Sequence, residues 1–460
     1  MLRLSLPMLE KLNLKTGRDV VLSFGSKQTI VEVSEHSAGD NNFSADPLIL
    51  GQTCLRGVNQ PLAFFFDEKE NNLKIGPIVA VLNSVPVMFL KPQIISLYQT
   101  ITMTARQSGM LFYVFTPDLV DFAKRTVNGF QYRSGFHSNR DWVLQELPLP
   151  DIIFNQVGSI SKELLPVYRK LLEEYLKEHA FVKLINPLAL YDKLLIHNTL
   201  CDDQLVKHFL PETRHLNSTA DLLALLEKYG AVYLKPTVSS LGRGIYKLSL
   251  HEDGAKCFIL QSHQQGGEKI AEIIYGKDDL NAKLQSIISQ HAYLVQQCID
   301  LISYENRPVD FRLHLFKNAL GCWDCLFIKA RLGSVGGVVT GLSWGGFFLQ
   351  GENMLEHVFS RNDAIQLLGE LKTAAVTLAH ALERLHGLEF GELGLDLGVS
   401  RNKKVWMIEV NPKPNWKLPP GRNGKKTEKN LADHLLGYCR YKLNLNDLNV
   451  SVGMPVHLIP

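Results

Sequence analysis

The chain has 460 residues, of which 45% are hydrophobic and 21% charged, and its formal net charge is +3. At about 100–200 residues per domain, this length predicts two or three domains. So small a net charge argues against an extended nucleic-acid surface. No uncharged apolar segment reaches the roughly 18–20 residues that a membrane span requires. Charged residues interrupt residues 1–16, which therefore lack the continuous apolar region of a secretory signal. We therefore expect a cytoplasmic protein with no nucleic-acid or membrane partner.

Seven cysteines are scattered along the chain, an odd number that fits reduced thiols rather than a disulfide framework. Cys322 and Cys325 have the spacing of a redox pair, but they lie in a strand-like segment, where residues three apart face opposite sides. A redox pair of the thioredoxin type needs the context of a helix N-terminus. We therefore interpret both residues as packing cysteines.

Residues 1–72 are predicted to form a small N-terminal β-rich module. Short strand-like segments separated by Gly, Asn and Asp turns indicate this module; they are Val20–Phe24, Thr29–Val33 and Leu62–Phe66. The pattern changes at residues 75–82, a continuous apolar segment typical of a strand that is buried on both faces of an α/β sheet. We place the start of a second domain here, at residue 73.

Residues 73–185 are predicted to form an open α/β domain. Strand-like segments at residues 110–115 and 151–154 alternate with helical ones, and apolar residues recur every three or four positions over residues 162–178. The remaining residues, 186–460, interleave helices with hairpin-like strands and contain no internal repeat or long polar linker. They form the third predicted domain.

The first candidate site is a Ser/Gly loop that follows a strand ending near Lys235. Gly242 and Gly244 let the loop backbone approach a polyanion, while Ser239 and Ser240 offer hydroxyl and N–H groups to phosphate oxygens. Lys235 supplies a positive charge to the same phosphates. The loop does not have the Walker spacing. The alternative is an ordinary β-hairpin with a flexible tip.

The second candidate site is a hairpin that carries two carboxylates and an amide. Glu409 and Asn411 are two residues apart on a strand and so project from one face. If Asp396 lies opposite Glu409, then Ser400 lies opposite Val405 and a four-residue loop of common length joins the strands. Such a cluster of oxygen ligands suits Mg²⁺. The alternative is a hairpin with incidental polar residues.

Two further strand patterns between these sites carry basic residues. Asp310, Arg312 and His314 alternate along one strand, and Lys329 and Arg331 alternate along the next. Arginine forks suit a carboxylate or a phosphoryl group in transfer. Taken singly, each arginine is better explained as a surface or salt-bridge residue, and we interpret His314 as a structural residue or one that supports the site from behind.

Short motifs in the third predicted domain resemble, in chain order, those of the ATP-grasp superfamily. They are Asp192-Lys193, Pro211-Glu212-Thr213, Leu234-Lys235-Pro236, Gly242-Arg243-Gly244, Asp310-Phe311-Arg312, Ala330-Arg331 and Glu409-Val410-Asn411-Pro412. More narrowly, Asn186-Pro187, Phe390–Asp396 and Trp406–Pro414 resemble the YheC/YheD family of endospore coat-associated proteins. The resemblance covers nearly the whole chain.

The resemblance implies an ATP-grasp fold, in which two α+β lobes grip ATP, preceded by an open α/β pre-ATP-grasp domain and the small β module. It also implies a role for each candidate residue. Lys193 and Lys235 would contact the ATP phosphates, under a mobile loop formed by residues 239–244. Residues near the interlobe hinge, at 296–300, would lie beside adenine; these are Gln296, Gln297 and Ile299.

The resemblance further implies that Asp396, Glu409 and Asn411 hold Mg²⁺, and that Arg312 and Arg331 steady the γ-phosphate and an acyl-phosphate intermediate. The activity so implied is an ATP-dependent ligase that joins a small-molecule or peptide carboxylate to an amine, with spore coat proteins as partners. Two alternatives stay open. One is a spore coat or assembly protein that binds ATP without catalysis, and the other is a small-molecule kinase on the same fold.

Overall fold

The computed structural model describes most of the chain. The described residues are 1–36, 42–56, 58–133, 141–178, 181–187, 192–239, 242–251, 257–263, 269–289, 291–341, 344–414, 416, 422–446 and 448–455. They form a β-barrel, an α/β domain and two lobes, whose strands and helices are numbered along the chain. No helix among them is both long and apolar enough to cross a membrane.

A closed barrel of seven strands contains the N-terminal residues, in the order β1-β3-β2-β6-β5-β26-β4. The strands are β1 (Leu2–Ser5), β2 (Asp19–Phe24), β3 (Lys27–His36), β4 (Asn42–Ala45), β5 (Leu62–Asp67), β6 (Asn72–Ile75) and β26 (Val450–Pro455). Two short helices accompany them, α1 (Leu6–Leu12) and α2 (Pro47–Gln52). Strand β26 pairs with β5 and β4, so a segment that we expected in the third domain completes the N-terminal barrel.

The α/β domain is a sheet in the order β11-β10-β8-β7-β12-β13, with β9 paired to β10. Its strands are β7 (Ile78–Leu82), β8 (Leu111–Phe115), β9 (Val120–Asp121), β10 (Thr126–Tyr132), β11 (Trp142–Pro148), β12 (Ile152–Asn155) and β13 (Lys183–Ile185). Its helices are α3 (Pro92–Gln107), α4 (Leu165–Arg169) and α5 (Leu176–Glu178), the last two joined by a π-helical turn. Strands β8, β7, β12 and β13 run parallel, so their carboxyl ends form one edge.

The expected strand at residues 75–82 is in fact two strands. Gly76 has φ 118°, a value open to glycine, and Pro77 has no N–H to donate to a ladder. Strand β6 therefore ends at Ile75 in the barrel, and β7 begins at Ile78 in the α/β domain. The apolar run continues through the break because Ile75 at the end of β6 and every residue of β7 are buried, which is why composition alone does not separate the two strands.

The first lobe is an antiparallel sheet in the order β14-β19-β15-β16-β17-β18. Its strands are β14 (Thr213–His215), β15 (Ala231–Pro236), β16 (Tyr246–Leu250), β17 (Cys257–His263), β18 (Lys269–Tyr275) and β19 (Tyr293–Gln297). Helix α6 (Lys193–Leu200) precedes it, and its own helices are α7 (Thr219–Tyr229) and α8 (Gly276–Ile288). The Ser218 side chain caps the start of helix α7 by accepting a hydrogen bond from the Asp221 N–H. Gly230, whose φ is 73°, caps its end.

The second lobe is an antiparallel sheet in the order β23-β22-β21-β24-β25, with β20 paired to β21. Its strands are β20 (Ser303–Tyr304), β21 (Arg307–Lys317), β22 (Trp323–Leu332), β23 (Phe347–Gln350), β24 (Glu392–Val399) and β25 (Val405–Asn411). Its helices are α9 (Gly351–Val358), α10 (Arg361–His386) and α11 (Arg422–Lys442).

Two helices fix the second lobe in place. Helix α10 buries apolar residues at helical spacing, such as Leu367, Leu371 and Leu378, against one face of the second-lobe sheet. Helix α11 shares a core with α3 and with the α/β sheet. Glu428 of α11 is buried and accepts hydrogen bonds from Ser96 of α3. The second lobe and the α/β domain therefore pack as neighbours through α11.

Candidate active site

The candidate site lies on the face of the second-lobe sheet opposite α10. Leu393, Leu395 and Leu397 of β24 are fully buried in the core that contains α10. Because side chains alternate along a strand, Gly394 and Asp396 project from the other face. The leucine alternation thus directs one carboxylate of the candidate set toward the first lobe.

The hairpin of β24 and β25, which we call the metal hairpin, has the expected pairing at its functional end. Asp396 lies opposite Glu409, as predicted, and Gly394 lies opposite Asn411. The predicted pairing of Ser400 with Val405 is wrong. A β-bulge shifts the register between Asp396 and Leu397, so Val399 lies opposite Val405 instead.

The bulge has a packing cause. Val405, Met407 and Val410 are all buried in the same core, yet a regular strand would turn Val410 away from the other two. One extra residue, Ile408, reverses the alternation. Glu409 therefore projects to the site face although Met407, two residues earlier, packs in the core.

Asp396 is held by two arginines. It accepts hydrogen bonds from Arg312 Nε and from Arg312 Nη2, the latter at 2.8 Å, and Arg331 Nη2 lies 2.8 Å from its Oδ2. The Asp396 side chain is only 1% exposed. Burial tends to raise the pKa of this carboxyl, but the two guanidinium groups outweigh burial and hold the pKa below its usual value. Both predicted arginines therefore converge on the predicted metal hairpin.

Arg331 also joins a second carboxylate. Its Nε and Nη2 atoms each lie 2.6 Å from an oxygen of Asp310, which also accepts a hydrogen bond from the Thr340 hydroxyl. Burial tends to lower the pKa of Arg331, but Asp310 and Asp396 together raise it. Strand alternation predicts that Asp310 shares a face with Arg312, but it does not predict the contact with Arg331. The cross-strand pair of Asp310 with Arg331 explains this contact.

Lys193 links the first-lobe loop to the metal hairpin. Asp192 caps helix α6, and the Lys193 N–H donates to the Thr237 carbonyl at 2.8 Å, which docks the helix beside the Ser/Gly loop. Lys193 Nζ donates to the Ser239 carbonyl at 2.8 Å and to its Oγ at 3.1 Å. The same Nζ lies 3.4 Å from Glu409 Oε1. Residues from two distant parts of the chain are thus brought together.

Lys235 lies at the end of β15 and is buried, with 9% of its surface exposed. Its Nζ donates to Gln296 Oε1 at 2.5 Å, and Gln296 in turn donates to the Thr213 hydroxyl at 2.9 Å. Burial lowers the pKa of Lys235 to about 8, while the Glu409 carboxylate partly offsets this effect. Gln296, predicted to lie beside adenine, therefore positions this lysine.

The predicted hinge carries the chain from the first lobe to the second. Gln297 N–H donates to the Glu212 carbonyl at 2.8 Å, and its side-chain Oε1 accepts from Glu212 N–H at 3.2 Å. The Ile299 carbonyl accepts from Leu301 N–H, and Ile302 N–H donates to Val399 of the metal hairpin at 2.8 Å. A backbone connection of a few residues therefore separates the two sheets.

The Ser/Gly loop is in contact with the second lobe. Gly242 and Gly244 have φ values of 72° and 71°, which side chains disfavour. A Cβ at Gly242 would lie 3.1 Å from Nε1 of Trp344 in the second lobe, and one at Gly244 would lie 2.9 Å from Pro236. Predicted residue Ser240 lies outside the described residues. Gly242 lets the loop approach Trp344 closely, and Gly244 lets it pack against Pro236.

The donor set fits a hard cation. No group of three His, Cys, Asp or Glu side chains that could hold a metal occurs in the described part of the chain, but the candidate set has two carboxylates and an amide. Asn411 Nδ2 donates to Asp396 Oδ2 at 3.4 Å, which leaves the amide oxygen as its free ligand. Glu409 is about one-third exposed, whereas Asp396 must exchange an arginine contact for the cation. Oxygen ligands of this kind suit Mg²⁺.

Several residues behind the metal hairpin were not foreseen as part of the site. Asn186, fully buried, hydrogen bonds to Gly391 just before β24 and to Pro412 just after β25. Glu392, also fully buried, accepts from Gln156 and from Trp416. One sequence signal was available: Asn186 precedes a proline at the predicted domain boundary and adopts φ 58°, a conformation that asparagine tolerates.

The chain is similar in sequence to known proteins. A family model described as YheC/D-like ATP-grasp matches residues 182–441. The endospore coat-associated protein YheD of Bacillus subtilis is 26% identical over 358 residues, which cover 75% of this chain and 74% of YheD. The endospore coat-associated protein YheC of the same organism is 25% identical over 317 residues, which cover 68% of this chain and 83% of YheC.

Solved structures are more distant. The VanG D-Ala:D-Ser ligase from Enterococcus faecalis is 12% identical, with a TM-score of 0.46, and the match covers 79% of this chain and 99% of the ligase. The ATP-grasp ligase PsnB in complex with a minimal precursor is 15% identical, with a TM-score of 0.42, and the match covers 78% of this chain and 98% of PsnB.

Proposed function

The chain belongs to the YheC/D-like ATP-grasp family, as its motifs predict, and from this premise we propose that it is an ATP-dependent carboxylate–amine ligase. One observation carries the proposal. Lys193, beside the Ser/Gly loop, lies 3.4 Å from Glu409 of the metal hairpin, so a phosphate-binding cation and a metal-binding carboxylate face each other. ATP would lie between the two lobes at this point.

Positive charge at the proposed nucleotide site comes from two lysines. Lys193 Nζ already binds a carbonyl and a hydroxyl oxygen of Ser239, and phosphate oxygens would take similar places. Lys235 has no carboxylate within ion-pairing distance among the described residues. A buried cation without a counter-charge is costly. A polyphosphate would supply that counter-charge.

Asp396, Glu409 and Asn411 would hold Mg²⁺. The bound ion would offset the negative charge of the nucleotide phosphates. Arg312 and Arg331 project from the same face, within hydrogen-bonding distance of Asp396. Their remaining N–H groups would orient a substrate carboxylate or a transferred phosphoryl group.

The proposed reaction has two steps. A carboxylate oxygen of the substrate attacks the γ-phosphorus of ATP, the bond to the β-γ bridging oxygen breaks, and ADP leaves. This yields an acyl phosphate. The amine nitrogen then attacks the acyl carbon, the amine loses a proton, and inorganic phosphate leaves with the electron pair of the broken C–O bond. The sum is an amide, ADP and phosphate.

The biological setting is proposed from the relatives. YheD and YheC are named endospore coat-associated proteins. A ligase in the same setting would act on a peptide or protein of the forming coat, or on a small-molecule precursor of it. The identity of the acid and the amine is open to a direct screen.

ADP release tests the proposal. Purified protein is incubated with Mg-ATP and pools of amino acids and peptides, and ADP is measured with and without hydroxylamine, which traps acyl phosphates as hydroxamates. We expect ADP formation that requires an acid and rises with an amine. The variant Glu409→Gln should lose it, and Glu356→Gln, on the exposed surface of α9, should not.

Two outcomes would replace the proposal. ATP binding by calorimetry without ADP formation in any pool would favour a non-catalytic ATP-binding protein. A stable phosphorylated product that forms without an amine, and that hydroxylamine does not convert to a hydroxamate, would favour a kinase.

A further inference from the structure

Asn186 contacts both strands of the metal hairpin from the outside. It directly follows β13, at the carboxyl edge of the α/β sheet, and is fully buried. Its Oδ1 accepts from the N–H of Gly391 at 2.9 Å, next to the start of β24. Its Nδ2 donates to the Pro412 carbonyl at 2.9 Å, one residue past the end of β25. One amide side chain therefore ties the two strands to each other and to the α/β domain.

Glu392 makes a second tie at the same place. Its backbone carbonyl accepts from Asn186 Nδ2 at 3.3 Å. Its carboxyl accepts from Gln156 Nε2, in the loop after β12, and from Trp416 Nε1, in the segment after β25. Each carboxyl oxygen thus accepts a hydrogen bond from a different segment of the chain. The side chain is fully buried, so no water competes for these bonds.

In a third contact, the hydrogen-bond donor is on the hairpin side and the acceptor is on the α/β side. Lys413, two residues past Asn411, donates from Nζ to the Val157 carbonyl at 3.0 Å. Val157 lies in the same loop as Gln156, two residues past the end of β12. Asn186, Gln156 and Val157 on the α/β side, and Glu392, Pro412 and Lys413 on the hairpin side, form what we call the junction.

The junction lies next to the candidate metal ligands, at the end of the metal hairpin where β24 begins and β25 ends. Glu392 is on the same face of β24 as Gly394 and Asp396, because residues two apart share a face. Pro412 follows Asn411 immediately. A shift of about 1 Å at either end of the hairpin would therefore displace an oxygen ligand. Hard-cation sites tolerate little displacement when the cation is Mg²⁺.

We propose that Asn186 is a positioning residue that fixes the separation of the two metal-hairpin strands, and so sets the affinity of the site for a divalent cation without contacting the cation or the nucleotide. The inference rests on the proposed function in one respect, since it needs a cation at Asp396, Glu409 and Asn411. Residues that orient metal ligands from outside typically change metal affinity by about 10- to 100-fold when removed.

The test uses Mn²⁺ as the probe and the full chain. The affinity of the protein for ADP is measured by calorimetry without metal, and the affinity of the protein–ADP complex for Mn²⁺ is measured by electron paramagnetic resonance. The variant Asn186→Gly removes the side chain and keeps a residue that accepts φ 58°. We expect Mn²⁺ affinity to fall by about tenfold or more, with the ADP affinity in the absence of metal unchanged.

Asn83→Ala is the matched control. Asn83 is also a buried amide at the carboxyl edge of the α/β sheet, where its side chain hydrogen bonds to Tyr98, but its described hydrogen bonds do not involve the metal hairpin. This variant should lose stability and keep wild-type Mn²⁺ affinity. If Asn186→Gly fails to fold, Gln156→Ala removes one hydrogen bond to Glu392 and should weaken Mn²⁺ binding in the same direction by a smaller factor.

The measurements distinguish a failure of the proposed function from a failure of the positioning role. If the wild-type protein binds neither ADP nor Mn²⁺, the proposed function itself is wrong. If the wild-type protein binds both and Asn186→Gly binds Mn²⁺ equally well, the positioning role is wrong. An equal loss of Mn²⁺ affinity in Asn186→Gly and Asn83→Ala would also overturn it, because general destabilisation would then explain the effect.

Discussion

Lys193 Nζ lies 3.4 Å from Glu409 Oε1, and the two side chains belong to segments more than 200 residues apart. The lysine also holds the Ser/Gly loop through Ser239. We expect Lys193→Met to weaken ATP binding roughly 10- to 100-fold, the effect of losing a charge-assisted hydrogen bond in a partly buried site. Calorimetric titration with ATP measures this.

Lys403→Met provides the comparison for Lys193. Lys403 lies on the turn of the metal hairpin and is about half exposed. It forms an ion pair with Asp363 at 2.8 Å. Its replacement removes the same charge from the turn of the metal hairpin but should leave ATP affinity within about twofold of the wild type. Equal losses in both variants would show that bulk charge, and not the contact with Ser239 and Glu409, governs ATP affinity.

Asp396 is predicted to be a large contributor to stability. Its replacement by Ala would remove the carboxylate that Arg312 and Arg331 share, and so would leave two guanidinium groups without it in a buried site. Breaking a buried ion pair typically costs about 3–5 kcal/mol, so Asp396→Ala should lower the free energy of unfolding by about that amount in urea titrations. Asp300→Ala breaks an ion pair with Arg401 in which both side chains are more than two-thirds exposed, and should cost less than about 1 kcal/mol.

Lys235 should make ATP binding depend on pH. Its pKa in the folded protein is about 8, below its ordinary value of 10.5, so the free protein loses the ammonium charge above pH 8. ATP affinity should then fall by up to about tenfold per pH unit above that point. Lys235→Arg, which stays charged, should flatten the profile. A wild-type affinity that is constant between about pH 7 and about pH 9.5 would contradict the assignment of Lys235 to the phosphates.

Glu392 should make stability depend on pH in the opposite sense to an ordinary surface carboxyl. Burial raises its pKa from 4.5 to about 8, despite hydrogen bonds from Trp416 and Gln156. Between these values the folded protein holds a proton that the unfolded chain releases, so this contribution to stability is complete below pH 4.5 and is lost as the pH rises through 8. Glu392→Gln should remove a downward slope of roughly 1 kcal/mol per pH unit from urea titrations.

The exposed residue Glu32, on β3 of the barrel, offers a control for Glu392. Glu32→Gln changes the same chemical group and should leave the slope of stability against pH as in the wild type. Should Glu392→Gln also retain the wild-type slope, the proton would have to be held elsewhere in the protein.

Local sequence patterns predicted the functional end of the metal hairpin. Alternation placed Glu409 and Asn411 on one face, and the assumed pairing of Asp396 with Glu409 is the one that the structure has. The same logic failed beyond Asp396 because the bulge at Ile408 is set by the core that buries Met407 and Val410. A pattern of side chains does not reveal a bulge until the face that each one buries is known.

Local sequence patterns did not predict the contacts between distant segments. Nothing near Arg331 in the sequence indicates that it joins both Asp310 and Asp396, and nothing near Asn186 indicates a bond to Pro412. These contacts depend on how sheets and domains dock, which local periodicity does not encode. The family resemblance supplied the approximate place of the arginines but not their partners.

The closure of the barrel by β26 has a consequence for synthesis. A chain that leaves the ribosome N-terminus first carries β4 and β5 early, while their shared neighbour, residues 450–455, is translated hundreds of residues later. Until then both strands present unpaired edges, which invite pairing with other nascent chains. The module encoded first is therefore among the last able to finish folding.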